Sequence, residues 1–298
     1  MSQAQLDAVI HDVVACFGAW GADTTLEQMR EDWDAVSSSV PSKVGARQEA
    51  VNAGGAKAVW FVAPGASADR VVLYLHGGGY VFGGPRSHGG LAAQFSASAQ
   101  AQVLFVDYRL APEHPFPAAV EDSLAAYRWL LDQGVKPQRI AIAGDSAGGG
   151  LTFATLVAIK QAGLPMPACA TPISPWVDME ATGDTMTTKA DVDPIVQKAM
   201  IQQLVGMVVK AEQARDPLIS PLHADLSGLP PMLIHVGERE TLLDDSRRIA
   251  ARAEQAGVKV KLDVWDGQIH VFHVFCARLD EGVEAIEQLG AFVRQHTT

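Results

Sequence analysis

Apolar positions along this 298-residue chain follow a helical period first and a strand–helix alternation afterwards. Leu6, Val9, Ile10, Val13, Val14 and Phe17 recur at helical spacing and predict an amphipathic N-terminal helix. A second helix is expected from Thr24 or Thr25, which have Glu27 and Gln28 three residues on, a capping-box signal. It turns Leu26, Met29, Trp33 and Val36 inward and ends before Pro41. Two strands then flank Gly54-Gly55 as an antiparallel hairpin, with residues 59–62 on the return.

From Val71 the pattern changes. Continuous apolar runs over 71–75, 103–106, 140–143 and 232–236 predict buried strands, and alternation over 258–265 predicts a last one. Helices are expected after Pro117, with Val120, Leu124, Tyr127 and Leu131 on one face and Gly134 as the stop, and near 245–256 and 279–294. Apolar strands separated by helices imply an α/β fold with a mostly parallel sheet covered on both faces. Residues 183–213 break that rhythm. They hold a helix opened by Asp193-Pro194, with Val196, Met200, Ile201, Leu204 and Val208 on one side and no strand before it. Together with the first two helices it is expected to cap the carboxyl edge of the sheet. The expected organisation is cap helices over 1–45, a core in two parts over 46–182 and 214–298, and a cap insertion over 183–213.

Composition narrows the class. The chain is 48% hydrophobic and 19% charged, ordinary for a globular protein. Its 23 basic and 34 acidic residues leave a net charge of −11, which argues against nucleic acid or an anionic membrane surface as partner. Cys16, Cys169 and Cys276 are odd in number and far apart, so free thiols in a reducing compartment are expected, with no metal site. No apolar run reaches membrane-spanning length, and His11 and Asp12 interrupt the first helix, unlike a signal peptide. A cytoplasmic location is the expectation.

Candidate chemistry centres on Gly144-Asp145-Ser146-Ala147-Gly148. An apolar strand precedes it, and a helix carrying Leu151, Phe153, Leu156 and Ile159 follows. A serine between two glycines at a strand-to-helix turn is the nucleophile-elbow arrangement of α/β hydrolases. A serine hydroxyl needs a base, an acid to orient that base, and donors for the oxyanion. His76-Gly77-Gly78-Gly79-Tyr80 follows a strand directly, and its glycines leave backbone N–H groups free to point into a site. Of nine histidines, His270 and His273 follow the last strand, where parallel-sheet enzymes place catalytic side chains. The loop after 232–236 crowds Glu238, Glu240, Asp244 and Asp245 together. The order serine, acid, histidine is that of an α/β hydrolase.

These residues resemble the hormone-sensitive lipase family of esterases, in its bacterial branch. His76–Tyr80 is similar to that family's oxyanion motif and residues 144–149 to its nucleophile motif. Residues 108–118, 216–222 and 229–231 also look familial. The family's acid stands first in D-x-L-x-D, so Glu240-Thr241-Leu242-Leu243-Asp244 puts Glu240 at the acid position and Asp244 at a supporting one. His270-Val271-Phe272 stands where the family reads H-G-F, which favours His270 as base.

The resemblance implies an α/β-hydrolase fold and a cofactor-free carboxylesterase acting on small, short-acyl esters. Ser146 would be the nucleophile, His270 the base and Glu240 the orienting acid, with the N–H groups of Gly77, Gly78 and Ala147 holding the oxyanion. His76, Gly79, Asp145 and Asp244 would support them. Tyr80, Phe82, Leu204 and Val208 are expected to line the acyl pocket. Family members dimerise through the last strand, which points to 258–265. A non-catalytic binder on the same fold, as in plant hormone receptors that have lost the histidine, is the rival reading. An amidase or lactonase would share the same triad.

Overall fold

A computed structural model describes residues 2–21 and 23–298; Met1 and Ala22, both in the expected segment 1–45, lie outside the described residues. Helix α1 (Gln3–Gly18) buries Leu6, Val9 and Val13, whereas Val14 is 50% exposed. Helix α2 (Leu26–Ser37) starts at a Thr25 cap whose hydroxyl accepts from the Gln28 N–H while the Gln28 side chain accepts from the Thr25 N–H. Thr25, not Thr24, is therefore the cap. Strands β1 (Arg47–Ala53) and β2 (Ala56–Val62) form the expected hairpin.

The core then alternates β3 (Ser67–Leu75), α3 (Pro85–Ala99), β4 (Ala101–Val106), α4 (Ala118–Asp132), β5 (Ile140–Asp145), α5 (Ala147–Gln161) and β6 (Cys169–Ile173). After the short α6 (Thr185–Thr188) and α7 (Lys198–Val208) it resumes with β7 (Met232–Gly237), α8 (Leu243–Gln255), β8 (Val260–Trp265) and α9 (Asp280–His296). One eight-stranded sheet runs in the order β1-β2-β4-β3-β5-β6-β7-β8, and every pairing from β4 to β8 is parallel. This is the α/β-hydrolase fold. Helices flank the sheet: α3 packs on α9, α4 on α5, and α8 on β7 and β8.

Helix α7 begins at Lys198 rather than at the expected Asp193-Pro194, and two further elements depart from the sequence pattern. Helix α3 is built largely from Ser, Gly and Ala, so its buried face (Leu91, Phe95 and small residues) carries little apolar periodicity. Strand β6 corrects the expectation that no strand precedes 183–213. Its five residues, all buried, include Pro172, which in sequence reads as a strand breaker. Among the described residues no helix is long and apolar enough to cross a membrane, and all three cysteines are free.

Candidate active site

Ser146 stands between the end of β5 and the first turn of α5 with φ 54° and ψ −119°, a left-handed conformation unusual for a residue with a side chain. Its neighbours enforce the strain: Ser146 donates its N–H to Ile173 O at 2.8 Å and accepts from Trp176 N–H at 2.9 Å. The flanking glycines are required by space. A Cβ on Gly144 would lie 2.3 Å from Gly148 O, and one on Gly148 would lie 2.0 Å from Leu75 O. Helix, elbow and β3 thus meet backbone to backbone, and Ser146 is left at the crest of the turn.

His270 follows β8, and its Nε2 lies 2.9 Å from Ser146 Oγ. Its Nδ1 lies 2.8 Å from Glu240 Oε2. The other Glu240 oxygen accepts from Ser174 Oγ at 2.6 Å and from the Gly237 N–H. Glu240 is fully buried. Val271 adopts φ 48°, the conformation glycine takes most readily, and donates its N–H to Ser174 Oγ at 3.3 Å. The glycine of H-G-F is therefore replaced by a valine held in a glycine-like turn. Burial by itself lowers the His270 pKa. The Glu240 carboxylate, through charge and hydrogen bond, outweighs that with help from Asp193 and Asp145, and the net shift is upward.

The other acids and histidines are placed elsewhere. Asp244 accepts from Thr185 N–H at 3.0 Å and sits near Arg247 rather than at His270. Asp245 turns away to the N–H groups of Val177 and Asp178, and burial raises its pKa to about 7. His273 pairs with His235, Nε2 to Nδ1 at 3.3 Å, behind the His270 loop. His76 stacks on Tyr108, with ring centroids 4.1 Å apart, and its Nδ1 lies 2.7 Å from Gly77 O. Burial, with His88 nearby, drives the His76 pKa down to about 3.

The glycine loop requires one correction. Gly77 does not present its N–H to the site, because it donates to Asp145 Oδ1 at 3.1 Å. The same carboxylate accepts from Tyr74 OH at 2.6 Å and contacts His88 Nε2 at 3.2 Å. Among the described residues the N–H groups of Gly78, Gly79 and Ala147 meet no protein acceptor, and Gly78 and Gly79 line the cavity over Ser146. The sequence pattern cannot tell which of three consecutive glycines is spent on the loop's own support.

That cavity is walled by Phe17 of α1, Trp33 of α2, Phe82, and Ile201 and Leu204 of α7, and its polar lining includes Ser146, Asp145 and His270. Of the four residues expected in the acyl pocket, the structure brings Phe82 and Leu204 to it. Tyr80 and Val208 line a separate, smaller cavity with Phe116 and Ile219. Asp178, Glu180 and His223 could offer one metal-ligand atom each within 4.8 Å. Both Asp178 oxygens are already taken, by Glu180 N–H on one side and by Thr182 and Arg248 on the other. Ser174, His88 and Asp193 were not singled out in the sequence as site residues. They carry no local motif, and only the folded chain brings them to Glu240, Asp145 and Thr241.

The family model for the alpha/beta hydrolase fold matches residues 72–274. A crystal structure of an esterase from the bacterial hormone-sensitive lipase family superposes with a TM-score of 0.96 at 45% identity, covering 99% of each chain. The chain belongs to that family. An acetyl-hydrolase of Streptomyces hygroscopicus is 45% identical over 249 residues, 84% of this chain and 83% of the relative. An esterase of Acinetobacter venetianus is 37% identical over 228 residues, 76% and 75% of the two chains. As a member of the hormone-sensitive lipase family the protein is a carboxylic ester hydrolase. Its elbow serine, glycine loop and late histidine lie within the matched region.

Proposed function

We propose that the protein hydrolyses short-acyl carboxylic esters through an acyl-enzyme on Ser146. The observation that carries this reading is the unbroken chain Ser146 Oγ, His270, Glu240, with contacts of 2.9 and 2.8 Å. In it, Ser146 Oγ attacks the ester carbonyl while His270 Nε2 takes the hydroxyl proton. Glu240 holds the imidazole in orientation and stabilises the imidazolium that forms. The N–H groups of Gly78, Gly79 and Ala147 receive the oxyanion, and losing one such donor typically costs about 3–4 kcal/mol of transition-state stabilisation. His270 then returns the proton to the leaving alcohol. Water, deprotonated by the same nitrogen, attacks the acyl-enzyme and frees acid and serine.

Segments 1–45 and 183–213 act as the cap, a reading supported by Phe17, Trp33 and Leu204 on the cavity wall. Apolar walls suit a neutral ester. A pair of copies would join across β8, which ends the sheet with an open edge. The binder alternative gains no support from a site that retains its histidine.

Turnover of p-nitrophenyl butyrate by Ser146→Ala, Glu240→Ala and Asp244→Ala tests the assignment. Ser146→Ala is expected to lose about 10⁶-fold in kcat and Glu240→Ala about 10⁴-fold, with Asp244→Ala retaining most activity. Near-normal turnover in Ser146→Ala overturns the mechanism, and loss confined to Asp244→Ala overturns the acid. A profile across acyl lengths, with amides and lactones included, separates esterase from amidase and lactonase.

A further inference from the structure

Asp193 is a buried carboxylate outside the proposed triad that accepts four hydrogen bonds. Its Oδ1 takes the N–H groups of Ile195 at 2.9 Å and Val196 at 3.0 Å. Its Oδ2 takes the N–H of Thr241 at 2.7 Å and the Thr241 hydroxyl at 3.0 Å. All four donors are uncharged. Asp193-Pro194 reads in sequence as a helix start, yet α7 begins only at Lys198. The aspartate caps a turn and reaches across to another loop instead.

Both ends of this clip touch the reaction site. Ile195 and Val196 form part of the cavity wall over Ser146. Thr241 is the chain neighbour of Glu240, and its carbonyl is held from the other side by Thr185 Oγ1 at 2.7 Å. We propose that Asp193 is a positioning residue for ester hydrolysis, fixing the Glu240 loop and the Ile195–Val196 substrate wall as one unit beside His270. The proposal rests on the triad reading given above. A base and its orienting acid must be held to within tenths of an ångström, and one carboxylate shared by two loops supplies that constraint. Three carboxylates influence His270 from three elements: Glu240 after β7, Asp145 at the end of β5, and Asp193 before α7. His273, behind the same loop, is the titratable neighbour on the other side. A negative charge at Asp193 favours the imidazolium formed when Ser146 loses its proton.

The test uses the full chain with Asp193→Asn, Asp193→Glu, Thr241→Val and Ser146→Ala. The readouts are kcat and KM for p-nitrophenyl butyrate from about pH 5 to 9, alongside thermal melting. Asp193→Asn is expected to lower kcat about 10- to 100-fold and to move the acid-side midpoint of kcat/KM downward. Asp193→Glu is expected to restore the midpoint; one that stays low overturns the charge contribution. Thr241→Val is expected to raise KM and leave the midpoint alone. A lowered melting temperature in Asp193→Asn with unchanged kcat, KM and midpoint reduces the residue to a structural one and overturns the proposal. If Asp193→Asn does not fold, unchanged kinetics in Thr241→Val do the same. Turnover retained in Ser146→Ala sinks the triad reading, and the proposal with it. An inactive Ser146→Ala beside an unperturbed Asp193→Asn removes the positioning role alone.

Discussion

The His270 imidazole sits between a hydroxyl and a carboxylate, and in the proposed mechanism its protonation sets when the site can work. As the proposed base it must be neutral to accept the Ser146 proton. The Glu240 charge overrides the effect of burial and raises the His270 pKa above the ordinary 6.5. The sign follows: kcat/KM rises with pH through a midpoint above 6.5, and activity is lost on acidification below it. A pH–rate profile checks this, and an acid midpoint well below 6.5 contradicts the Glu240–His270 coupling. At this scale the sequence was only partly legible. Glutamate at 240 was readable from the D-x-L-x-D register. The loss of Gly77 as a free donor was not, because it depends on an Asp145 oxygen 68 positions away in the chain.

The elbow is the element that sets the site, and its geometry is backbone packing rather than side-chain chemistry. β5, α5 and β3 converge so tightly that Gly148 has Leu75 O where a Cβ would go. Gly148→Ala therefore forces a shift of backbone, not of a flexible side chain. It is expected to cost about 3 kcal/mol or more, read as a lower midpoint in urea unfolding. A variant as stable as wild type argues against that packing. Elements with strong period, such as α1, α4, β3 and β5, were legible. Helix α3 and strand β6 were not: small residues dilute the amphipathic signal of one, and a proline masks the other.

Across the whole molecule, the sheet has a paired interior and two edges, and β8 is one of them. Val264 on that strand is 41% exposed. An open edge with an exposed valine is suited to pairing with a second copy, and a lysine there discourages it. Sedimentation is expected to show a dimer for the wild type and a shift to monomer for Val264→Lys. A wild type that stays monomeric at micromolar protein overturns the proposed pairing.

The sequence by itself determined the strand–helix alternation apart from α3 and β6, the glycine-flanked serine and the class of chemistry, because these rest on local period and on turn geometry between neighbours in the chain. The family pattern favours His270, and the tertiary structure brings its ring to Ser146 from 124 residues away. It also decided which glycine N–H groups remain free, and it brought Asp193 to Thr241 and Ser174 to Glu240. The physical reason is common to all of these. Each is a hydrogen bond between separate elements, and its partner is chosen by how the sheet stacks rather than by the residues on either side.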